Sequence, residues 1–245
     1  MKKIAKLIFK NIGFHVKKSF YSNSDLLKYK IIFIHVPKVA GNGLLKSLNI
    51  NSSNHIHLAL YEFEDVKKFK EYFKIGFVRN PWDRFVSSYY YLKKGGMNNE
   101  YDLSMQEKLK RFNEFEDFVF ELLYDSKFRN EILKEIHFST QYSWLMNLEG
   151  EIEMDYIGRF ENLEEGFLLL KEKLGRNSAE LKKYNSSKHK PYWEYYTKEM
   201  VEAVRNIYAK DIDTFNYSFP YEKIQWIINL YINNGLLFIR LSLYY

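Results

Sequence analysis

Three short apolar segments constrain the fold of this chain most strongly. They occupy residues 31–36, 75–79 and 156–160, and their apolar residues run together where a half-buried strand would alternate. Such runs are typical of parallel strands that are buried on both faces. Each segment is followed by a helix-start signal, so strands alternate with helices. This alternation predicts an α/β fold in which right-handed crossovers cover a central parallel sheet on both faces.

The helix predicted after the second strand has the clearest start. Asn80 is a preferred N-cap residue, and Pro81 suits the first helical position. The stripe expected to be buried consists of Trp82, Phe85, Val86 and Tyr89. For the helix after the third strand, Asn162 and Glu165 predict a capping pair and Gly175 predicts the end.

Composition narrows the function without selecting one. The 245 residues include 37 Lys and Arg against 31 Asp and Glu, a net charge of +6 that suits an anionic ligand, an anionic polymer or a membrane surface. The absence of cysteine excludes disulfides, thiolate metal sites and cysteine nucleophiles. No cluster of metal ligands stands out in the sequence, so we expect no metal.

The two ends differ from the main domain, which we place at residues 29–220. Residues 1–28 form a basic amphipathic segment whose apolar run is too short for a signal peptide. It predicts either a surface helix packed on the domain or a helix lying on an anionic membrane. Residues 221–245 are apolar but interrupted by polar residues, and they predict helices that pack on the core or on a membrane face. A charged helical insert is expected at residues 98–147.

The loop after the first strand has the properties of a phosphate-binding turn. Pro37 fixes the turn, Lys38 adds a charge, and Gly41 and Gly43 are expected to permit positive φ and close approach of an anion. The next helix would offer free N–H groups at its start. An ordinary strand-to-helix turn fits these residues equally well. The loop lacks the G-x-x-x-x-G-K-[ST] pattern of nucleoside triphosphate sites.

The end of the second strand supplies a possible partner for that loop. In parallel sheets ligands bind beyond the carboxyl ends of the strands, which places Lys38 and Arg79 on one rim. Ser87 is predicted to lie on the side of Asp83, away from the buried stripe. An arginine fork and a hydroxyl suit a phosphate, although the arginines of such a helix also form ordinary surface ion pairs.

Five motifs together resemble a known family. Residues 33–44 read F-I-H-V-P-K-V-A-G-N-G-L and residues 77–89 read F-V-R-N-P-W-D-R-F-V-S-S-Y. They are similar to the 5'-phosphosulfate and 3'-phosphate motifs of carbohydrate sulfotransferases that use 3'-phosphoadenosine 5'-phosphosulfate (PAPS). The branch with heparan sulfate 2-O-sulfotransferases and many bacterial enzymes is most similar. H-I-H-L at 55–58, D-Y-I-G-R-F-E-N-L at 155–163 and K-P-Y-W-E-Y-Y at 190–196 extend the resemblance in order.

The resemblance implies a fold and a donor site. The fold would be a P-loop-like three-layer αβα domain with a helical insert and terminal amphipathic helices. Lys38 would contact the bridging oxygen and the sulfuryl group of PAPS, and Arg79 with Ser87 would hold the 3'-phosphate. Lys188 and Lys190 would belong to a basic loop over the donor, and a simple solvated lysine is the alternative for each. The amides of Ala40, Gly41, Asn42, Gly43 and Leu44 would hold the 5'-phosphate, and Pro37 would complete the donor-binding loop.

This chain departs from the family's usual P-K-T-A-G-T-S loop. Val39, Asn42 and Gly43 replace the three hydroxyl residues, which removes side-chain contacts to phosphate. Backbone donors remain, and the Asn42 amide can donate. We therefore expect donor binding to depend on Lys38, Arg79 and Ser87 more than on the loop alone.

An acceptor hydroxyl needs a base, and histidine titrates in the right range. The resemblance assigns this role to His57 in the H-x-H pair, and a structural histidine is the alternative. His55 and His57 should point to one side of an extended segment. We expect His35 to be a packed core residue, and His137 is a candidate for lining the acceptor cleft.

The leading hypothesis is in-line transfer of a sulfuryl group from PAPS to a carbohydrate or glycolipid hydroxyl, without nucleic acid or metal. A P-loop kinase or nucleotide hydrolase is one alternative. A non-catalytic domain that binds anionic glycans or membranes is another. A cytoplasmic location, or one peripheral to the inner membrane, is expected. The sequence indicates neither the acceptor nor the oligomeric state.

Overall fold

The computed structural model describes residues 19–51, 54–182 and 190–222. Its three strands are β1 (Ile31–Ile34), β2 (Phe73–Val78) and β3 (Tyr156–Arg159). The α-helices before β3 are α1 (Ser24–Lys28), α2 (Gly41–Ser47), α3 (Leu58–Glu64), α4 (Val66–Glu71), α5 (Pro81–Lys93), α6 (Glu100–Leu109), α7 (Phe115–Tyr124), α8 (Ser126–Ile132) and α9 (Gln141–Leu145). Those after it are α10 (Leu163–Lys173), α11 (Lys198–Ile207) and α12 (Ala209–Thr214). Single 3-10 turns span Phe160–Asn162 and Tyr192–Tyr195.

The three strands form one parallel sheet in the order β1-β2-β3. The prediction of an α/β fold is therefore confirmed. All four residues of β1 are buried, as are five of the six in β2, which explains their continuous apolar sequence. The carboxyl ends of β1 and β2 lie side by side because Ile34 pairs with Gly76.

The predicted strand limits were wrong by one or two residues. β2 begins at Phe73, two residues early, because it pairs with Ile31 and not because of its own hydropathy. It therefore includes Lys74, a residue that does not predict a buried strand. The Lys74 ammonium donates to the Phe69 carbonyl and lies 3.5 Å from the Asp155 carboxylate, so its charge is paired.

Helix α5 starts as predicted. The Asn80 side chain accepts hydrogen bonds from the backbone N–H groups of Trp82 and Asp83. The predicted apolar stripe is buried, but burial extends further around the helix and includes Arg84, Ser87 and Ser88. Ser87, predicted on the side of Asp83, is buried as well: only 8 % of this residue is exposed, because the helix is covered on more than one side.

Helix α10 shows one prediction confirmed and one corrected. Gly175 follows its end with φ of 61°, in the left-handed region that stops helices. Asn162 makes no capping hydrogen bond to the helix backbone. Its amide instead donates to the Glu165 carboxylate at 3.0 Å, because a 3-10 turn leads directly into this helix.

Two hydrophobic cores lie on either side of the β2–α5 junction. The first packs the strands against α2, α9 and α10 and includes Phe33, Phe77 and Trp144. The second is formed by α5, α6, α7 and α11 and includes Trp82 and Phe118. The insert predicted at residues 98–147 thus supplies nine of the 22 buried residues that the structure describes in the second core.

Three predictions fall wholly or mainly outside the described residues. They concern the segments 1–28 and 221–245 and the basic loop that contains Lys188. Within the part of the chain that the structure describes, no helix is both long and apolar enough to cross a membrane.

Candidate active site

In the loop after β1, two residues other than glycine adopt the left-handed backbone conformation. Lys38 has φ of 70° and Ala40 has φ of 64°, whereas Gly41 and Gly43 lie in the first turn of α2. The expectation that the glycines supply positive φ was therefore wrong. Left-handed backbone at a non-glycine residue costs energy that the surrounding structure must offset, and it is frequent at functional sites.

Gly41 serves a different purpose, which is close packing. A Cβ atom at this position would lie 2.4 Å from Cδ2 of His35, closer than real side chains approach. His35 is buried, as predicted, and its ring lies 4.2 Å from that of His55. The glycine therefore lets the loop pass directly over His35, whose ring adjoins that of His55 in the H-x-H segment.

Arg79 ties the loop to the end of β2. Its guanidinium forms two 2.8 Å hydrogen bonds with the Asp83 carboxylate and donates from Nη1 to the Lys38 carbonyl at 3.0 Å. It also stacks on the Phe160 ring at 3.9 Å. These contacts hold the strained Lys38 peptide in place. They leave the remaining guanidinium N–H groups for a ligand.

The Lys38 ammonium lies 3.8 Å from the centre of the Tyr91 ring. Cation–π contact with an aromatic face stabilises a charge that is largely removed from water. Burial lowers the Lys38 pKa to about 8, and repulsion from Arg79 adds to this effect, while Asp102 opposes it. The ammonium is thus charged near neutral pH but more acidic than an ordinary lysine.

Asp102 holds the Tyr91 ring, on which the Lys38 ammonium lies, through a hydrogen bond from its hydroxyl. It is buried, and its Oδ2 accepts hydrogen bonds from the Tyr91 hydroxyl, the Met97 N–H and the Asn99 amide at 2.8–3.0 Å. Its Oδ1 lies 3.6 Å from Nε2 of His137. Lys38, Tyr91, Asp102 and His137, which we call the Lys38 cluster, therefore adjoin one another.

The two histidines of the H-x-H segment share one tautomer. Nδ1 of His55 lies 2.6 Å from the His35 carbonyl, and Nδ1 of His57 lies 2.8 Å from the Ser143 carbonyl. A carbonyl can only accept, so each Nδ1 carries a proton and each Nε2 keeps a lone pair. Burial lowers both pKa values, and a neutral ring is the form that can take a proton.

Both rings lie beside the same indole, as the extended spacing predicts. His57 stacks on Trp144 with ring centres 3.9 Å apart, and His55 meets it at 6.1 Å. Repulsion from Lys38 and from His55 contributes to the low pKa of His137, so His55 is electrostatically coupled to the Lys38 cluster. His57 makes its contacts on the Trp144 side.

Several residues of this site have no clear signal in the sequence. Tyr91 follows the recognised motif by two residues, and Asp102 reads as one more charge on a solvated helix. Gln141 is fully buried, and its amide bonds both the N–H and the carbonyl of Arg79 at 2.8 Å. Of this segment the sequence indicated only His137, as a candidate for lining the acceptor cleft.

Comparison with known proteins decides the family. A family model described as "Sulfotransferase family" matches residues 27–218, which is well over half of the chain. The chain belongs to the sulfotransferase family. Comparisons with curated proteins and with solved structures gave no match. The protein is thus a transferase of sulfuryl groups, and the match spans the Lys38 cluster, Arg79 and the H-x-H segment.

The described part of this sulfotransferase contains no group of three His, Cys, Asp or Glu residues placed to hold a metal ion. The predicted donor residues on β1, α2, β2 and α5 do lie on neighbouring elements. Arg79 donates a hydrogen bond to the Lys38 carbonyl, whereas no hydrogen bond joins Ser87 to either residue within the described part of the chain.

Proposed function

We propose that this sulfotransferase transfers the sulfuryl group of PAPS to a hydroxyl of a carbohydrate or glycolipid. The observation that supports this most directly is the Lys38 ammonium at the rim of the sheet. It is largely buried, and its backbone is braced by Arg79. A fixed, partly desolvated charge at this position is suited to an anionic donor.

The donor fits the residues present. The sulfuryl group and phosphates of PAPS are anionic, and Lys38, Arg79 and the backbone N–H groups of residues 40–43 offer cationic and N–H donors on one rim. The Leu44 N–H, which the resemblance also assigned to the 5'-phosphate, already donates to the Ala40 carbonyl. Ser87 is proposed to add a hydroxyl to the 3'-phosphate, and Lys188 a further charge. Asn42 would donate in place of a threonine hydroxyl.

The chemical step is an in-line displacement at sulfur. The acceptor oxygen forms the new S–O bond, and the bond from sulfur to the oxygen bridging the 5'-phosphate breaks, releasing 3',5'-ADP. The acceptor proton passes to the Nε2 lone pair of His57, the proposed base. Lys38 stabilises the charge that develops on the bridging oxygen.

The acceptor class and the cellular location are proposed from the family resemblance and from the source of the donor. The resemblance to carbohydrate sulfotransferases supports a glycan or a glycolipid as the acceptor. We propose that this acceptor binds next to the insert that contains helices α6 to α9. Because PAPS is a cytosolic donor, we propose a cytoplasmic protein, with contact to the inner membrane through its terminal segments. No nucleic acid is part of this proposal.

A panel of nucleotides tests the proposed donor. Thermal unfolding is followed with PAPS, 3',5'-ADP or ATP for the native protein and for Lys38→Ala. At a ligand concentration of about 100 times Kd, binding should stabilise the native protein by roughly 2.7 kcal/mol. We expect stabilisation by the two 3'-phosphorylated nucleotides, a smaller effect in Lys38→Ala and none with ATP.

Other results would favour the other functions. Stabilisation by ATP with turnover of its γ-phosphate would indicate a kinase or a hydrolase. If no nucleotide stabilises the native protein, the proposal is wrong, and a glycan- or membrane-binding domain becomes the better interpretation.

Arg79 can be tested separately for contact with the 3'-phosphate. Arg79→Ala should weaken 3',5'-ADP binding by about ten- to a hundredfold, the loss of one charge-assisted hydrogen-bonded contact. Binding of 5'-AMP, which lacks that phosphate, should weaken less. Calorimetry of both nucleotides with both proteins measures the difference. Equal losses would mean that Arg79 acts only by bracing the Lys38 carbonyl.

A further inference from the structure

His137 carries a buried nitrogen without a hydrogen-bond partner. Its side chain is 9 % exposed, and Nδ1 contacts no donor or acceptor within the described residues. Buried polar atoms are nearly always paired, and an exception calls for an explanation. In a protein that binds a ligand, one explanation is that a donor group reaches this atom when the ligand is bound.

Asp102 determines the tautomer of His137 and therefore whether its Nδ1 donates or accepts a hydrogen bond. Its Oδ2 is fully used by Tyr91, Met97 and Asn99, and its Oδ1 faces Nε2 of His137 at 3.6 Å. A carboxylate beside a ring nitrogen favours the tautomer with the proton on that nitrogen. Nδ1 of His137 therefore keeps its lone pair and can only accept a hydrogen bond.

Burial, with repulsion from Lys38, His55 and Arg84, lowers the His137 pKa to about 3. The ring is therefore neutral at physiological pH, and the lone pair is always present. The position of Asp102 is fixed as well, because a Cβ atom at Gly96 would lie 2.3 Å from its Oδ2.

Lys38 is a charged neighbour whose ammonium has no hydrogen-bond acceptor among the described residues. Its ammonium lies on the Tyr91 ring, whose centre is 5.1 Å from that of His137. The proton of His55 is already donated to the His35 carbonyl, and Arg84 donates to the carbonyls of His137 and Ser139.

Tyr101 is the remaining aromatic neighbour, 6.0 Å from His137 between ring centres. Burial and the adjacent Glu135 raise the pKa of its hydroxyl. The Tyr101 hydroxyl is also buried without a hydrogen-bond partner in the described part of the structure, so it competes with the Lys38 ammonium for the His137 lone pair. The Lys38 ammonium differs from it in carrying the charge that an anionic donor attracts.

We propose that His137, oriented by Asp102, is a positioning residue for Lys38, whose ammonium donates a hydrogen bond to Nδ1 when it engages the sulfuryl donor. The inference rests on the function proposed above. An aromatic face attracts an ammonium without fixing its direction, whereas a lone pair in a rigid ring does. Held between Nδ1 and the donor, the ammonium would point at the bridging oxygen.

Nitrogen NMR of the imidazole rings tests this directly. In protein labelled with 15N at histidine, His137 should show the Nε2–H tautomer with an unprotonated Nδ1. Addition of 3',5'-ADP should shift Nδ1 toward the hydrogen-bonded range in the native protein but not in Lys38→Met. An Nδ1–H tautomer, or the same response in both proteins, would overturn the proposal.

Substitutions of His137 add a kinetic test. His137→Asn places an amide oxygen near the position of Nδ1, His137→Gln extends only toward Nε2, and His137→Leu removes both. If Nδ1 positions Lys38, kcat should fall up to about a hundredfold in the Leu and Gln variants and recover in Asn. An Asn variant as slow as the Leu variant would overturn the idea, because an amide accepts a hydrogen bond but not a proton.

Binding of 3',5'-ADP separates the proposed function from the role of His137. If the native protein does not bind 3',5'-ADP, the proposed function and this inference are both wrong. If it binds the nucleotide while His137 does not respond, only this inference is wrong.

Discussion

At the scale of single residues, Lys38 concentrates the unusual features of this protein. Its backbone is left-handed, its carbonyl is held by Arg79, and its ammonium lies on Tyr91. Each feature restricts a side chain that is normally flexible. Because Lys38 is already ordered in the free protein, binding of the donor costs less conformational entropy.

Lys38 should make donor binding depend on pH. As the pH rises through about 8, the free protein loses the ammonium charge, so the affinity for 3',5'-ADP should fall. Bound phosphate favours the charged form, so the decline should level off above the higher pKa of the complex. Calorimetry between about pH 7 and about pH 10 avoids titration of the phosphates.

Lys38→Arg is the matched control for this profile. Guanidinium stays charged throughout this range, so the affinity of the variant should not decline. A native profile that is as flat as that of the variant would contradict the lowered pKa of Lys38.

At the scale of elements, α5 connects the donor rim to the second core. It begins directly after β2, and its first turn is bound by Asn80. The Asn80 amide also donates to the Ser218 carbonyl at 3.1 Å, and its backbone N–H donates to Glu161 at 2.6 Å. A cap residue thus joins three separate segments at the rim.

Asn80→Ala should lower the free energy of unfolding by about 1–2 kcal/mol through loss of the cap. Asn80→Ser keeps a side-chain acceptor for the first turn but loses the bond to Ser218, so it should retain most of the stability. Urea denaturation of the three proteins measures both effects. Equal destabilisation of the two variants would assign the energy to the Ser218 contact instead.

At the scale of the whole molecule, one buried polar chain joins the two cores. Asp211 in α12 accepts the backbone N–H groups of Gln141 and Tyr142 at 2.7 and 2.8 Å. Gln141 in turn holds Arg79 at the end of β2. Burial raises the Asp211 pKa, and the nearby Arg84 charge opposes that effect.

Asp211→Asn should destabilise the protein by about 1–3 kcal/mol, because the amide can accept one of the two N–H groups but presents its own donor to the other. Since Gln141 loses its anchor, 3',5'-ADP affinity should fall as well. Asp213→Asn is the control, because Asp213 is 69 % exposed and forms a long surface ion pair. Equal effects of the two substitutions on unfolding would contradict this role of Asp211.

The local features of the fold were predictable from the sequence. The α/β class, the start of α5 at Asn80 and the end of α10 at Gly175 depend on patterns within a few residues. The placement of Lys38 and Arg79 on one rim was also predictable, because the carboxyl ends of parallel strands meet at one edge of a sheet.

The charge environment of the site was decided only by the tertiary structure. Asp102, Gln141 and His137 come from a helical insert far from Lys38 in sequence, and burial changes what each can do. The same applies to the loop itself: its glycines indicated positive φ, but packing of Gly41 against His35 and the Arg79 bond put the left-handed turns at Lys38 and Ala40. Sequence determined which elements form and where they meet, because those depend on neighbours along the chain. Burial, pKa and side-chain pairing depend on neighbours in space, and only the packed molecule determines them.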